Sequence, residues 1–133
     1  MATYPSFAEQ ALHYFDRPHE GMPTAPVGGP AAWRGEDLAR RDDWSVALTA
    51  AQIAELDGLR DDLRARLLTP ATLRRADVVL PTLSPAIAAW RRELVDGRGF
   101  VVVRGLPVER WSDDDAGLVF WALGLALGRP GAQ

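Results

Sequence analysis

Residues 97–107, Gly97-Arg98-Gly99-Phe100-Val101-Val102-Val103-Arg104-Gly105-Leu106-Pro107, decide what kind of fold this chain can enter. Phe100 to Val103 is a continuous apolar run of strand formers, the pattern of a strand covered on both faces rather than one with a wet side. Gly105 and Pro107 close it. Helices flank it. Upstream, Ser84-Pro85 predicts an N-cap followed by proline at the first helical position. Ile87, Trp90 and Leu94 recur at helical spacing, and Gly97 supplies the stop. Downstream, Ser112 caps a second helix with Asp113, Asp114 and Asp115 in its first turn. That helix carries no charged side chain from Ala116 to Leu127, and Gly128 ends it.

This block needs more cover than its neighbours offer. A strand buried on both faces requires a hydrogen-bonded neighbour on each side, because unpaired buried backbone groups are costly. A helix that is apolar all round requires cover all round. The one other convincing strand pattern is Trp44-Ser45-Val46-Ala47-Leu48, where Trp44, Val46 and Leu48 alternate with smaller residues; Val78-Val79-Leu80 is a weak third. The expectation is therefore the front part of a larger domain. Within it Val102, at the centre of the run, should be packed, and Arg98, in the turn before it, should matter little by comparison.

The same residues carry a family resemblance. Gly97 to Pro107 resembles the "DGRGFVLLRGLP" segment of the taurine dioxygenase-like (TauD/TfdA-like) proteins, which are Fe(II)- and 2-oxoglutarate-dependent oxygenases. The likeness continues through Trp111-Ser112, Phe120-Trp121-Ala122-Leu123-Gly124 and Leu127-Gly128-Arg129-Pro130, and upstream through Ala32-Trp33-Arg34-Gly35-Glu36-Asp37-Leu38, Trp44 and Pro81-Thr82-Leu83. It covers roughly residues 30 to 133, about the first third of a typical member. The resemblance implies an α+β fold: the N-terminal helices and first strands of a double-stranded β-helix (jelly-roll) oxygenase, truncated before the metal site. It also implies that the full-length protein uses Fe(II) and 2-oxoglutarate to hydroxylate a C–H bond of a small organic substrate.

The resemblance brings no active-site residue with it. The family holds its iron with a His-x-Asp/Glu pair and a distant second His, a set suited to non-heme iron, and a downstream Arg binds the 2-oxoglutarate carboxylate. Here the two histidines, His13 and His19, are both near the N-terminus and neither opens a His-x-Asp or His-x-Glu. No catalytic, cofactor-binding or metal residue is therefore assigned to this chain, and Fe(II) and 2-oxoglutarate are expected only of the full-length protein.

Composition narrows the class further. A net charge of −3 and a pI near 5.3 give no electrostatic reason to expect nucleic acid or an anionic membrane surface. All 15 basic residues are arginine, which a GC-rich coding bias explains without a functional inference. The absence of cysteine removes any disulfide framework or thiolate site. Residues 1–20 lack the basic start and apolar core of a signal peptide. The longest apolar run, Ala116–Leu127, falls short of the roughly 20 residues that span a bilayer. A cytoplasmic protein is the expectation.

Along the chain, residues 1–32 read as a flexible N-terminal arm broken by Pro5, Pro18, Pro23, Pro26 and Pro30, and residues 33–133 as the incomplete oxygenase domain. Within the arm, Ser6 with Glu9 predicts a capped helix to about Phe15. His13, Asp16, His19 and Glu20 suggest a metal cluster, but no stable element fixes their spacing and a solvated tail is the expectation. Residues 33–43 interleave both signs of charge and read as a solvated connector, anchored by Trp33. Thr49-Ala50-Ala51-Gln52 is a capping box opening a helix to about Leu68, with Ile53, Leu56, Leu59, Leu63 and Leu67 as its stripe and Asp62–Arg66 paired on the wet side. The cluster from Arg60 to Arg64 reads as a solvated face. Gly97-x-Gly99 precedes its strand and lacks a third glycine at Val102, so it is no dinucleotide fingerprint. Arg104, at the strand exit, is expected in an ion pair or backbone contact.

The alternative to the oxygenase fragment is a complete, small, non-catalytic interaction module or decayed remnant that buries its apolar C-terminal helix against a partner. On either reading the isolated chain is expected to be marginal or self-associating.

Overall fold

The computed structural model of the protein describes residues 5–16, 18, 21, 24–26 and 28–130. Its helices are α1 (Phe7–Asp16), α2 (Gly35–Leu38), α3 (Ala50–Ala65), α4 (Ser84–Val95) and α5 (Asp113–Leu127), and its strands are β1 (Ser45–Ala47) and β2 (Val102–Arg104). Short 3-10 turns occupy Arg75–Asp77 and Val108–Arg110.

The helix starts follow local chemistry. Ser6 and Glu9 cap α1 reciprocally, the Glu9 amide donating to the Ser6 hydroxyl and the Ser6 amide to the Glu9 carboxylate. Thr49 and Gln52 form the same box on α3, at 2.9 and 3.2 Å. Ser112 accepts from the Asp115 amide at the head of α5. The start of α4 departs from expectation. Its N-cap is Leu83, already helical in backbone, so Ser84 lies inside the helix and Pro85 follows it. A carboxylate from another element supplies the cap, since Glu55 on α3 accepts the Thr82 and Leu83 amides at 2.7 and 2.8 Å.

The stops are equally specific. α3 ends at Ala65, short of Leu68, because Leu67 turns to a positive φ of 53° and the Leu68 amide reaches back to the Leu63 carbonyl. Left-handed backbone is costly for a branched L-residue. After α4, a Cβ on Gly97 would lie 2.7 Å from the Glu93 carbonyl oxygen, and Gly99 takes φ +86°, so the exit into β2 requires both glycines.

The strands form one parallel pair, with Ser45 opposite Val102, Val46 opposite Val103 and Ala47 opposite Arg104. Residues 78–80 do not join it. Leu80 is buried and Val79 exposed there, and the segment serves as a packed connector. The core lies among α3, α4, α5 and the 70–83 connector, with Leu56, Leu63, Leu73, Leu83 and Val119 its largest fully buried side chains. The one-turn helix α2 interrupts the connector expected to be irregular, with Glu36 and Asp37 in its first turn. α1 buries none of its residues.

The described chain leaves two elements, β2 and α5, short of the cover they need. β2 is covered on one face only: Val101 and Val103 are half-buried, while Val102 is 38% exposed. α5 likewise packs Leu118, Val119, Ala122 and Leu125 inward and leaves Gly117, Phe120 and Gly124 outward. The physical reason is shared. A two-stranded sheet and two partner helices supply one covering layer, not two.

Candidate functional site

Among the described residues no group of three or more His, Asp or Glu side chains is placed to hold a metal ion. His13 and Asp16 lie on the exposed helix α1, while His19 and Glu20 fall outside the described residues. The described donors therefore do not fit an Fe(II) and 2-oxoglutarate site, and no reaction step is assigned to them. What the sequence brings together instead is a braced sheet edge and an open helix face.

The brace begins with Arg98. Its guanidinium donates to Glu93 at 2.6 Å and to both carboxylate oxygens of Asp43, at 3.0 and 3.3 Å, so it ties the end of α4 to the approach to β1. Arg98 is thus a cross-link between elements, with its side chain only 14% exposed, a role that its place in the turn did not suggest. Its neighbours feel it. Glu93 is held below its ordinary pKa by hydrogen bonds from the Arg98 backbone and then its side chain. Asp43 is lowered first by Arg41 and then by Arg98.

Aromatic packing completes the junction. The Trp33 indole donates to the Arg98 carbonyl at 3.0 Å and meets the Phe100 ring edge-on at 5.3 Å, the anchoring expected of it. Trp44 donates to the Arg41 carbonyl at 2.8 Å. Arg104 makes the backbone contact, its carbonyl accepting the Leu48 amide at 2.9 Å. Its guanidinium lies 5.9 Å from the Trp44 ring centroid, a cation–π contact.

A second set of contacts docks α5. Arg64 pairs with Asp115, a nearly buried carboxylate, at 3.1 Å. Asp57 accepts the Trp111 indole at 2.7 Å and Arg110 at 3.1 Å, and those partners, the indole first, hold its pKa down. Arg60 lies between Asp57 and Asp61. The charge cluster from Arg60 to Arg64 is therefore partly an inter-helix junction, not only a solvated face. These partners lie more than fifty residues apart, which hides them from any local pattern.

The brace presents β2 with one edge unused. The Val102 amide donates to the Trp44 carbonyl and the Leu48 amide to the Arg104 carbonyl, both at 2.9 Å. In a parallel ladder alternate residues direct their amide groups the other way. Val101 and Val103 therefore face the outer edge, where the described residues provide no third strand. On α5, Phe120 stands 73% exposed between Gly117 and Gly124. Such an arrangement can pair backbone and bury apolar area.

Comparison with known proteins gives two weak relatives. The chain is 28% identical over 103 residues to the taurine hydroxylase-like protein SAT17 of Stachybotrys chartarum, a match spanning 77% of this chain and 27% of that protein. It is 27% identical over 108 residues to the FR-33289 synthase of Streptomyces rubellomurinus, spanning 81% of this chain and 32% of that protein. The chain thus spans about a third or less of the curated relatives it matches. No family model matches it. No described helix is long and apolar enough to cross a membrane.

Proposed function

We propose that this chain is the N-terminal part of an Fe(II)- and 2-oxoglutarate-dependent dioxygenase of the TauD/TfdA-like kind. The full-length protein hydroxylates a small organic substrate in the cytoplasm, without a nucleic-acid or membrane partner. Within it these residues brace the first strands of the jelly-roll and the helices behind them. The metal ligands and the 2-oxoglutarate arginine belong to further sequence, and no catalytic group is carried here.

The observation that carries this reading is the mismatch in the alignments: they take in 77–81% of this chain but only 27–32% of the relatives. The open edge of β2 and the exposed side of α5 agree with it, since both await cover. The test is co-substrate turnover. The 133-residue chain, given Fe(II), ascorbate and 2-oxoglutarate, should release no succinate above a protein-free control. Protein expressed from an in-frame extension of the same gene should release it. Succinate formed by the 133-residue chain alone, and abolished by a chelator, would overturn the assignment.

A further inference from the structure

We propose that the cleft between the Arg75–Asp77 turn, α4 and α5 is a binding site for a small oxyanion of the carboxylate or phosphate type. Its volume is about 260 Å³, and Arg75, Arg91 and Ser84 line it together with Val78, Leu80 and Ile87. No carboxylate lines it. That sets it apart from the other inter-element arginines, since Arg98 meets Glu93 and Asp43, Arg64 meets Asp115, and Arg110 meets Asp57.

The two cationic groups are differently held. Arg75 donates one N–H to the Leu125 carbonyl at 3.1 Å, which fixes its guanidinium against α5 and leaves its remaining N–H groups available. Arg91 forms no ion pair or hydrogen bond among the described residues. Ser84 stands two helical turns before Arg91, so both lie on one face of α4. Ser84 also occupies the first turn of that helix, where the dipole favours negative charge.

Two exposed guanidinium groups share this cleft with no carboxylate lining it. An oxyanion offers both a partner, and its paired oxygens suit the planar guanidinium fork. The Ser84 hydroxyl supplies a further donor. The size of the cleft and its mixed lining favour a small ligand over a polymer.

The experiment is calorimetric titration of the whole 133-residue chain with inorganic phosphate and, separately, with succinate. Saturable binding of either supports the site, and which one binds identifies the source of the oxyanion. Arg91→Gln should weaken that binding roughly tenfold or more, the scale of a lost charge-assisted hydrogen bond. Because Arg91 is exposed, this variant should melt unchanged in anion-free buffer. Arg75→Gln should weaken binding too. Arg92→Gln, one residue along and outside the cleft, should leave it unchanged. Failure of both anions to saturate, or equal weakening by Arg91→Gln and Arg92→Gln, would overturn the proposal.

Discussion

Adjacent residues on α5 should respond to truncation in opposite ways. Val119 is fully buried, whereas Phe120 keeps 73% of its surface in solvent. Val119→Ala removes two carbon atoms from a packed site, which at about 0.8 kcal/mol per buried methylene plus a cavity contribution costs roughly 2 kcal/mol. For a chain of this length that lowers the melting temperature by roughly 5–10 °C. Phe120→Ala loses almost no packing in the isolated chain, and alanine favours a helix by a few tenths of a kcal/mol over phenylalanine. Its melting temperature should hold or rise. The ring has another consequence. With 73% exposure, on the order of 150 Å² of apolar surface is free, worth about 4 kcal/mol to anything that covers it. Phe120→Ala should therefore reduce oligomer formation in light scattering at micromolar concentration, while Val119→Ala should not. Calorimetry and scattering on the same samples test both halves. A melting loss in Phe120→Ala equal to that in Val119→Ala would mean the ring is packed, and the open face of α5 would be refuted.

Other changes test the braces. Glu55→Ala strips the carboxylate from the Thr82 and Leu83 amides and should cost about 1–3 kcal/mol in denaturant unfolding, more than Asp62→Ala at its exposed pair with Arg66. Leu67→Gly should raise the melting temperature, because it relieves a left-handed backbone worth about 1–2 kcal/mol and sacrifices an exposed side chain. The carboxylates of Asp43, Asp57, Asp77 and Glu93 are all held below their ordinary values. A depressed folded-state pKa gives stability that is present above the unfolded value, near 4, and lost as pH falls through the folded value. Melting temperature should thus drop below about pH 4. Arg98→Ala should flatten that acid limb, because it removes a partner from both Asp43 and Glu93; an unchanged limb would contradict the bridge.

What the sequence made legible is local in origin. The capping boxes at Ser6–Glu9 and Thr49–Gln52, the Ser112 cap and the Asp62–Arg66 pair each lie within one turn of helix, where spacing alone brings the partners together. The β1 and β2 runs were legible because their composition suits a pleated surface. The partners of Arg98, Arg64 and Trp111 were not, since Asp43, Asp115 and Asp57 reach them only through the packing of α3, α4 and α5. Glu55 overrode Ser84 at the start of α4 for the same reason, a neighbouring helix supplying the better acceptor. Val102 is 38% exposed because an apolar run records the cover a strand can accept, and the cover present in the described chain is one layer. The candidate oxyanion cleft left only the spacing of Ser84 and Arg91 as a trace, with Arg75 brought in from a separate turn.

If these residues brace an oxygenase whose chemistry lies in further sequence, as proposed, the coding sequence downstream of the Gln133 codon shows it most directly. An in-frame continuation that carries a His-x-Asp or His-x-Glu pair, a later histidine and an arginine beyond it is the expected result. A stop codon at that position, or a continuation without the paired histidine and carboxylate, would contradict it.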